Sequence, residues 1–298
     1  MRRGLWPPNA IPCTTLSPQG RTTVTATVTD AITKAASDIL ANGFAVVKLS
    51  DLDASRLQNA IATANRFFAR PLEEKMAHGS TDHNYGYRPF GIEYSVTPDR
   101  PDMNECFTLW SSRLDLIPQA EKISDVNDAF LAWRDSLAPL VGAILDQVAN
   151  TFDGAVAPDF EKASYLQMNY CLPTPPERDL LQDRHEDGHM VTVLHANGAG
   201  LEIFATDEPM PMLPAADEIV IMPGSVLTAL SGGAIPPLYH QVRNHGLDDR
   251  QSLMYFVNPE VENPLFSWTE AADGSRVDIR AHVQFAPTMF GLPPVEAL

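Results

Sequence analysis

Between residues 184 and 189 the chain reads Arg184-His185-Glu186-Asp187-Gly188-His189, and the backbone adopted there decides what fold can surround it. These residues can be read as two different metal sites. As His-Glu-x-x-His they offer two zinc ligands, His185 and His189, with Glu186 as the base of a metallopeptidase. As His-x-Asp they offer His185 and Asp187. The first needs a helix, since only a helix puts residues four apart on one face. The second needs a strand, where residues two apart share a face and Glu186 points away. The neighbours favour the strand. Gly188 interrupts the motif, Val191-Thr192-Val193 is a β-branched run, and Asn197-Gly198-Ala199-Gly200 is a turn. The Gly and third His of the extended zinc pattern are missing after His189.

A His-x-Asp triplet alone is a common accident, and a solvated turn at a strand entrance is its plain alternative. The order of the features that follow strengthens the metal reading. Gly200-Leu201-Glu202-Ile203 predicts a turn into a new strand, and Glu218 to Gly224 an apolar strand ending in a turn. His240 follows, and after the polar stretch Asn244 to Asp249 the run Arg250 to Phe256 alternates as another strand.

In this order the chain resembles the Fe(II)- and 2-oxoglutarate-dependent oxygenases of the isopenicillin N synthase-like superfamily. The matching pieces are His185-x-Asp187, Val191-Thr192-Val193-Leu194, Gly200-Leu201-Glu202, Gly224-Ser225, His240 and Arg250-x-Ser252. Upstream, Asn42-Gly43-Phe44-Ala45-Val46-Val47, Phe67-Phe68 with Pro71-Leu72-Glu73-Glu74-Lys75, Gly86-Tyr87 and Asn104-Glu105-Cys106-Phe107 fall in the family's order. The resemblance covers roughly residues 30 to 290, and its collinearity carries more weight than any one motif. Three departures stand out. Ser225 replaces an Asp, Gln241 an Arg, and Cys171 a Tyr that in many members helps hold the cosubstrate.

The resemblance implies an α+β fold with a double-stranded β-helix (jelly-roll) core, in keeping with helices followed by strands along the chain. It implies that His185, Asp187 and His240 bind Fe(II) as a facial triad, leaving three positions for 2-oxoglutarate and O2. Arg250 and Ser252, one strand repeat apart, would hold the far carboxylate of 2-oxoglutarate, with Asn169 beside them. The implied activity is hydroxylation or desaturation of a small organic molecule, with release of succinate and CO2 and with ascorbate as an accessory reductant. Alternatives are a same-fold oxidase that closes a ring without 2-oxoglutarate, a non-catalytic ligand-binding barrel, and the His-Glu-x-x-His zinc hydrolase.

Each residue also has a plainer explanation. His240 could be a satisfied core histidine, and Arg250 could pair with Asp248 or Asp249 on the surface. Asn169 and Thr192 are either pocket residues or ordinary barrel residues. Tyr87, Arg88 and Met190 are the candidates for substrate contact, Arg88 for a carboxylate, although a solvated loop arginine is its plainer reading. His189, His195 and His245 are expected beside the metal or at the surface.

A chain of 298 residues, 44% of them hydrophobic, can bury one large core as a single domain. A net charge of −17 argues against nucleic acid or an anionic membrane as partner. Three scattered cysteines, Cys13, Cys106 and Cys171, give no disulfide framework and suit a reducing cytoplasm. The start, Met1 to Pro8, lacks the apolar run of a signal peptide, and no segment is apolar for long enough to span a bilayer. The expected partner is a small-molecule substrate; no oligomeric state can be read.

Residues 1–22 are Pro-rich and expected as an N-terminal arm, 23–160 as a mainly helical region, 161–275 as the jelly-roll core with the metal site, and 276–298 as a tail or lid. Helical periodicity covers 30–41, 53–69 with Asp53 as a candidate N-cap, and 125–152, whose apolar stripe suits a support helix against the main sheet. Residues 77–104 predict a long loop bordering the active site.

Overall fold

The computed structural model describes residues 28–283 except 154, 262, 263 and 272. The proposed arm, Cys13 and most of the tail lie outside the described residues. Helix α1 (Val28–Asn42) buries Ala35, Ala36 and Ile39. Strand β1 (Ala45–Lys48) follows, and then α2 (Asp51–Phe68). The N-cap of α2 is Ser50, not Asp53: the Ser50 hydroxyl accepts the Asp53 N–H at 3.2 Å and donates to the Asp53 carboxylate at 2.6 Å. Asp53 thus sits at the third helical position, where a carboxylate faces the positive end of the helix dipole.

After the short α3 (Leu72–Met76) come β2 (Gly86–Arg88) and β3 (Asn104–Trp110). The region expected as one long loop therefore contains a buried strand. Helix α4 (Ser124–Ala149) runs through Pro139 and buries Phe130, Trp133, Leu137, Val141, Ile144, Leu145 and Val148. It packs on α1 and α2, and Phe130 meets Phe107 of β3 edge-on at 5.9 Å, so it supports the main sheet as expected.

The remaining strands are β4 (Tyr165–Cys171), β5 (Leu180–His185), β6 (Val191–Ala196), β7 (Leu201–Phe204), β8 (Met210–Pro211), β9 (Glu218–Pro223), β10 (Tyr239–Arg243) and β11 (Gln251–Val257). They build two antiparallel sheets, one ordered β1-β9-β6-β11-β4-β3-β2 and the other β5-β10-β7-β8. Every residue of β3, β6 and β11 is buried, because one face of the large sheet meets the helices and the other faces the barrel interior. Three strands of the large sheet come from the region expected to be mainly helical. Helices α5 (Ser225–Leu230) and α6 (Arg280–Val283) touch one another. No described helix is long and apolar enough to cross a membrane.

Candidate active site

His185 ends β5 and lies directly opposite His240 of β10 in the antiparallel register. The strand stops there, and the chain passes Asp187 in irregular backbone and bends at 188–190, with no helix. This backbone is incompatible with the zinc-peptidase arrangement. His189 instead bonds Asn258 Oδ1 (2.9 Å) and the Tyr165 hydroxyl (3.4 Å) and is not a member of the cluster. His185, Asp187 and His240 bring one candidate ligand atom each within 4.8 Å of one another. The Asp187 carboxylate stands 3.7 Å from His185 Nε2 and 3.8 Å from His240 Nε2.

The surroundings fix how these groups present themselves. Nδ1 of His185 faces the Asp183 carbonyl at 2.7 Å, and Nδ1 of His240 faces the Leu238 carbonyl at 3.3 Å. A carbonyl can only accept, so each Nδ1 carries a proton and Nε2 is the nitrogen each ring turns to the side of Asp187. Burial, slightly offset by Asp187, pushes His240 down to about 4, so it is neutral at neutral pH. Burial alone would raise the Asp187 carboxyl; His240, His185, His189 and a short bond from the Thr192 hydroxyl outweigh it and keep the carboxyl below its usual range. Two imidazoles and one carboxylate on one side of a common point suit a first-row dication such as Fe(II).

The loop carrying Asp187 is held from behind. Ser225 N–H donates to the Asp187 carbonyl at 2.9 Å, and a Cβ on Gly224 would stand 2.5 Å from that carbonyl and 2.3 Å from that of His189. The Ser225 side chain meets His282 Nε2 at 3.0 Å. The Gln241 side chain donates to Glu202 at 2.6 Å.

Arg250 is buried, 2% exposed, and turns inward rather than to Asp248 or Asp249 at the surface. Its Nε donates to the Ala199 carbonyl (2.9 Å) and Nη1 to Ser252 Oγ (2.9 Å), with Cys171 Sγ at 3.5 Å. Nη2 is buried without a partner among the described residues. An orphaned guanidinium N–H is costly and fits a ligand carboxylate, as the cosubstrate's far end requires. Asn169 lies opposite Ser252 on β4, its Oδ1 accepting from Gln167 at 2.9 Å, and it lines one cavity with Ser252 and the triad.

The substrate candidates fall elsewhere. Arg88 is not a solvated loop residue: it is 1% exposed and pairs with Glu93 at 3.3 Å. Tyr87, next to it in a strand, points to the opposite face, where it packs on Phe67 and bonds Glu105. Met190 is fully buried in the core. Neither Tyr87 nor Met190 lines the cavity; Glu93, Gln167 and Gln182 do. Of these, Gln167 had a visible signal, since it alternates with Asn169 as inward polar residues of an otherwise apolar strand. Glu93 lies in an irregular segment with no periodicity to read. His195 is buried, with Nδ1 at the Glu218 carbonyl, and His245 is exposed.

Residues 11–128 match the family model for the N-terminal region of the non-haem dioxygenases in morphine synthesis, and residues 163–259 match the 2OG-Fe(II) oxygenase superfamily. A UPF0676 protein of Schizosaccharomyces pombe is 26% identical over 261 residues, spanning 79% of this chain and 80% of its own. The 2-oxoglutarate-dependent dioxygenase gloE of Glarea lozoyensis is 23% identical over 209 residues, 65% of this chain and 64% of its own. A full-length Neurospora crassa protein, solved in complex with α-ketoglutarate and thymine, superposes with a TM-score of 0.68 at 18% identity, covering 87% of this chain and 91% of that one. Fold, metal-ready triad and both family models agree: this chain belongs to the 2OG-Fe(II) oxygenase superfamily and is an oxidoreductase that uses Fe(II) and 2-oxoglutarate.

Proposed function

We propose that His185, Asp187 and His240 hold the ferrous ion, that Arg250 and Ser252 receive the far carboxylate of 2-oxoglutarate with Asn169 alongside, and that the enzyme hydroxylates or desaturates a small organic molecule. The observation that carries this reading is the pairing, in one barrel, of a three-ligand cluster with a buried guanidinium whose Nη2 lacks a partner among the described residues. Bound Fe(II) and 2-oxoglutarate supply the activation of O2, with succinate and CO2 as coproducts. The protein's part is to orient and to exclude water. Leu194, Leu201 and Val242 close the cavity with apolar surface, which strengthens every polar contact inside it. The complex of the N. crassa relative with thymine supports a substrate of small size. A reducing cytoplasm fits the two free, buried thiols Cys106 and Cys171.

The deciding measurement is succinate release alongside O2 uptake, across a panel of small molecules with iron and ascorbate supplied. Succinate formed in step with substrate oxidation is the expected result. Substrate oxidation without succinate would overturn this reading in favour of a same-fold oxidase.

A further inference from the structure

The cavity that holds the triad has an acidic wall. Glu93 stands in the segment between β2 and β3, 7% exposed, and lines the cavity beside Gln167 and Gln182. The segment is pinned to the barrel. The Asp102 N–H donates to the Glu93 carbonyl at 3.0 Å, Ser95 Oγ donates to the Asp102 carboxylate at 2.9 Å, and Gln182 of β5 donates to it at 3.2 Å. Glu93 is therefore held in place by the strand that ends in His185.

A buried carboxylate normally gathers short, charge-assisted bonds of about 2.7–2.9 Å. The Lys75–Glu105 pair on the other face of the sheet does so, at 2.6 Å. Around Glu93 the donors among the described residues stand farther off: Gln167 Nε2 at 3.1 and 3.3 Å, Arg88 Nη1 at 3.3 Å and Cys106 Sγ at 3.3 Å. A carboxylate accepts at about four lone-pair positions, so Glu93 retains capacity for a strong donor on its cavity side.

The surrounding charges say what kind of donor. Asp187 and Glu93 line the cavity and Asp102 adjoins Glu93, while of the buried guanidiniums Arg250 stands with Ser252 and Arg88 lies 3.3 Å from Glu93. Glu93 and Asp102 thus share the one cation Arg88, and this wall carries an excess negative charge. Ferrous ion and the 2-oxoglutarate dianion cancel each other and leave that excess standing. Burial and the nearness of Glu93 push Asp102 up to about 6, as expected of a crowded acidic wall. A cation bound there removes the excess, whereas an anion adds to it.

Resting on the function proposed above, we propose that Glu93 is the specificity-determining residue and that the substrate is a small nitrogen base whose protonated amine donates to the Glu93 carboxylate. The aliphatic and aromatic remainder of such a molecule would lie against Met254 and Phe256, which line the same cavity.

The test uses the full chain with Mn(II) replacing iron, 2-oxoglutarate, and no oxygen, so that binding is read without turnover. The probes are benzylamine, phenethylamine and phenylpropylamine with their matched alcohols and carboxylates, followed by thermal shift and calorimetry. Amines are expected to bind at least about tenfold more tightly than the matched alcohols, and carboxylates more weakly still. Glu93→Gln is expected to remove most of that preference, weakening amines while shifting alcohols little. Alcohols or carboxylates binding as well as amines, or no amine binding at all, would overturn the inference; so would an equal loss for every probe in a folded Glu93→Gln protein. If that variant does not fold, the wild-type comparison decides alone. A wild-type chain that is not stabilised by Mn(II) and 2-oxoglutarate before any amine is added would fail at the earlier step, the proposed function itself.

Discussion

His185 and His240 face one another across β5 and β10 with ring centroids 4.3 Å apart, each Nδ1 turned to a carbonyl two residues earlier in its own chain segment. The pair is thus set by strand register rather than by loop conformation. Removing one imidazole should empty the site without unmaking the sheet. His185→Ala is expected to bind no iron at concentrations where the wild-type chain binds one ion, while circular dichroism stays unchanged. Metal analysis after gel filtration checks this; iron at wild-type stoichiometry would contradict the triad.

Arg250→Gln should leave iron binding intact and weaken 2-oxoglutarate. Loss of one partner from a buried charge pair costs about 2–5 kcal/mol, so the dissociation constant should rise by one to several orders of magnitude. Ser252→Ala, which removes only a neutral hydroxyl, should cost about 1 kcal/mol. Calorimetric titration of the Mn(II)-loaded protein separates the two.

The metal-free protein should lose stability as pH falls from about 6.5 to about 4. His240 is pushed down to about 4, mainly by burial, from an ordinary value of 6.5. The unfolded chain therefore binds a proton first, and stability rises with pH across that window. Asp187, whose carboxyl is held below its usual 3.8, adds a loss of the same sign at still lower pH. Urea melts across this range should show the slope, and His240→Asn should flatten it. An unchanged slope would mean that His240 is not the titrating group.

Gly224→Ala should damage the site from outside it. The added methyl would fall within 2.5 Å of two backbone carbonyls, one of them that of Asp187, and backbone cannot swing aside as a flexible side chain can. We expect a loss of about 1–3 kcal/mol in stability together with weaker metal binding, read by thermal melts with and without Mn(II).

Glu186→Gln provides the complementary control. A zinc peptidase would lose its base, whereas here Glu186 is only half-buried and does not line the cavity, so metal binding and succinate release should persist. Loss of both in the variant would revive the other reading of this motif.

That His185, Asp187 and His240 converge could be read in the sequence because Gly188 and the β-branched run after it disfavour a helix, although the strand itself ends at His185. The inward placement of Arg250 beside Ser252 was likewise legible from their spacing of two. What escaped sequence reasoning depends on parity and register. Tyr87 and Arg88 are neighbours in a three-residue strand too short to show alternation, and only the pairing of Arg88 with Cys106 reveals which faces the barrel. Met190 looked adjacent to the site, but its N–H is tied to the Val257 carbonyl and its side chain is drawn into the core. Asp53 was the expected cap of α2, and Ser50 takes that place because its hydroxyl both accepts and donates.

The order of the large sheet has a practical consequence for anyone dividing this chain. β1 zips onto β9 at one margin and β3 onto β4 at the other, so the metal-bearing half is flanked on both sides by strands translated before it. A fragment starting near residue 161 would present two bare margins, each a template for intermolecular strand addition and precipitation. The ribosome thus delivers the covers of the barrel before the barrel exists.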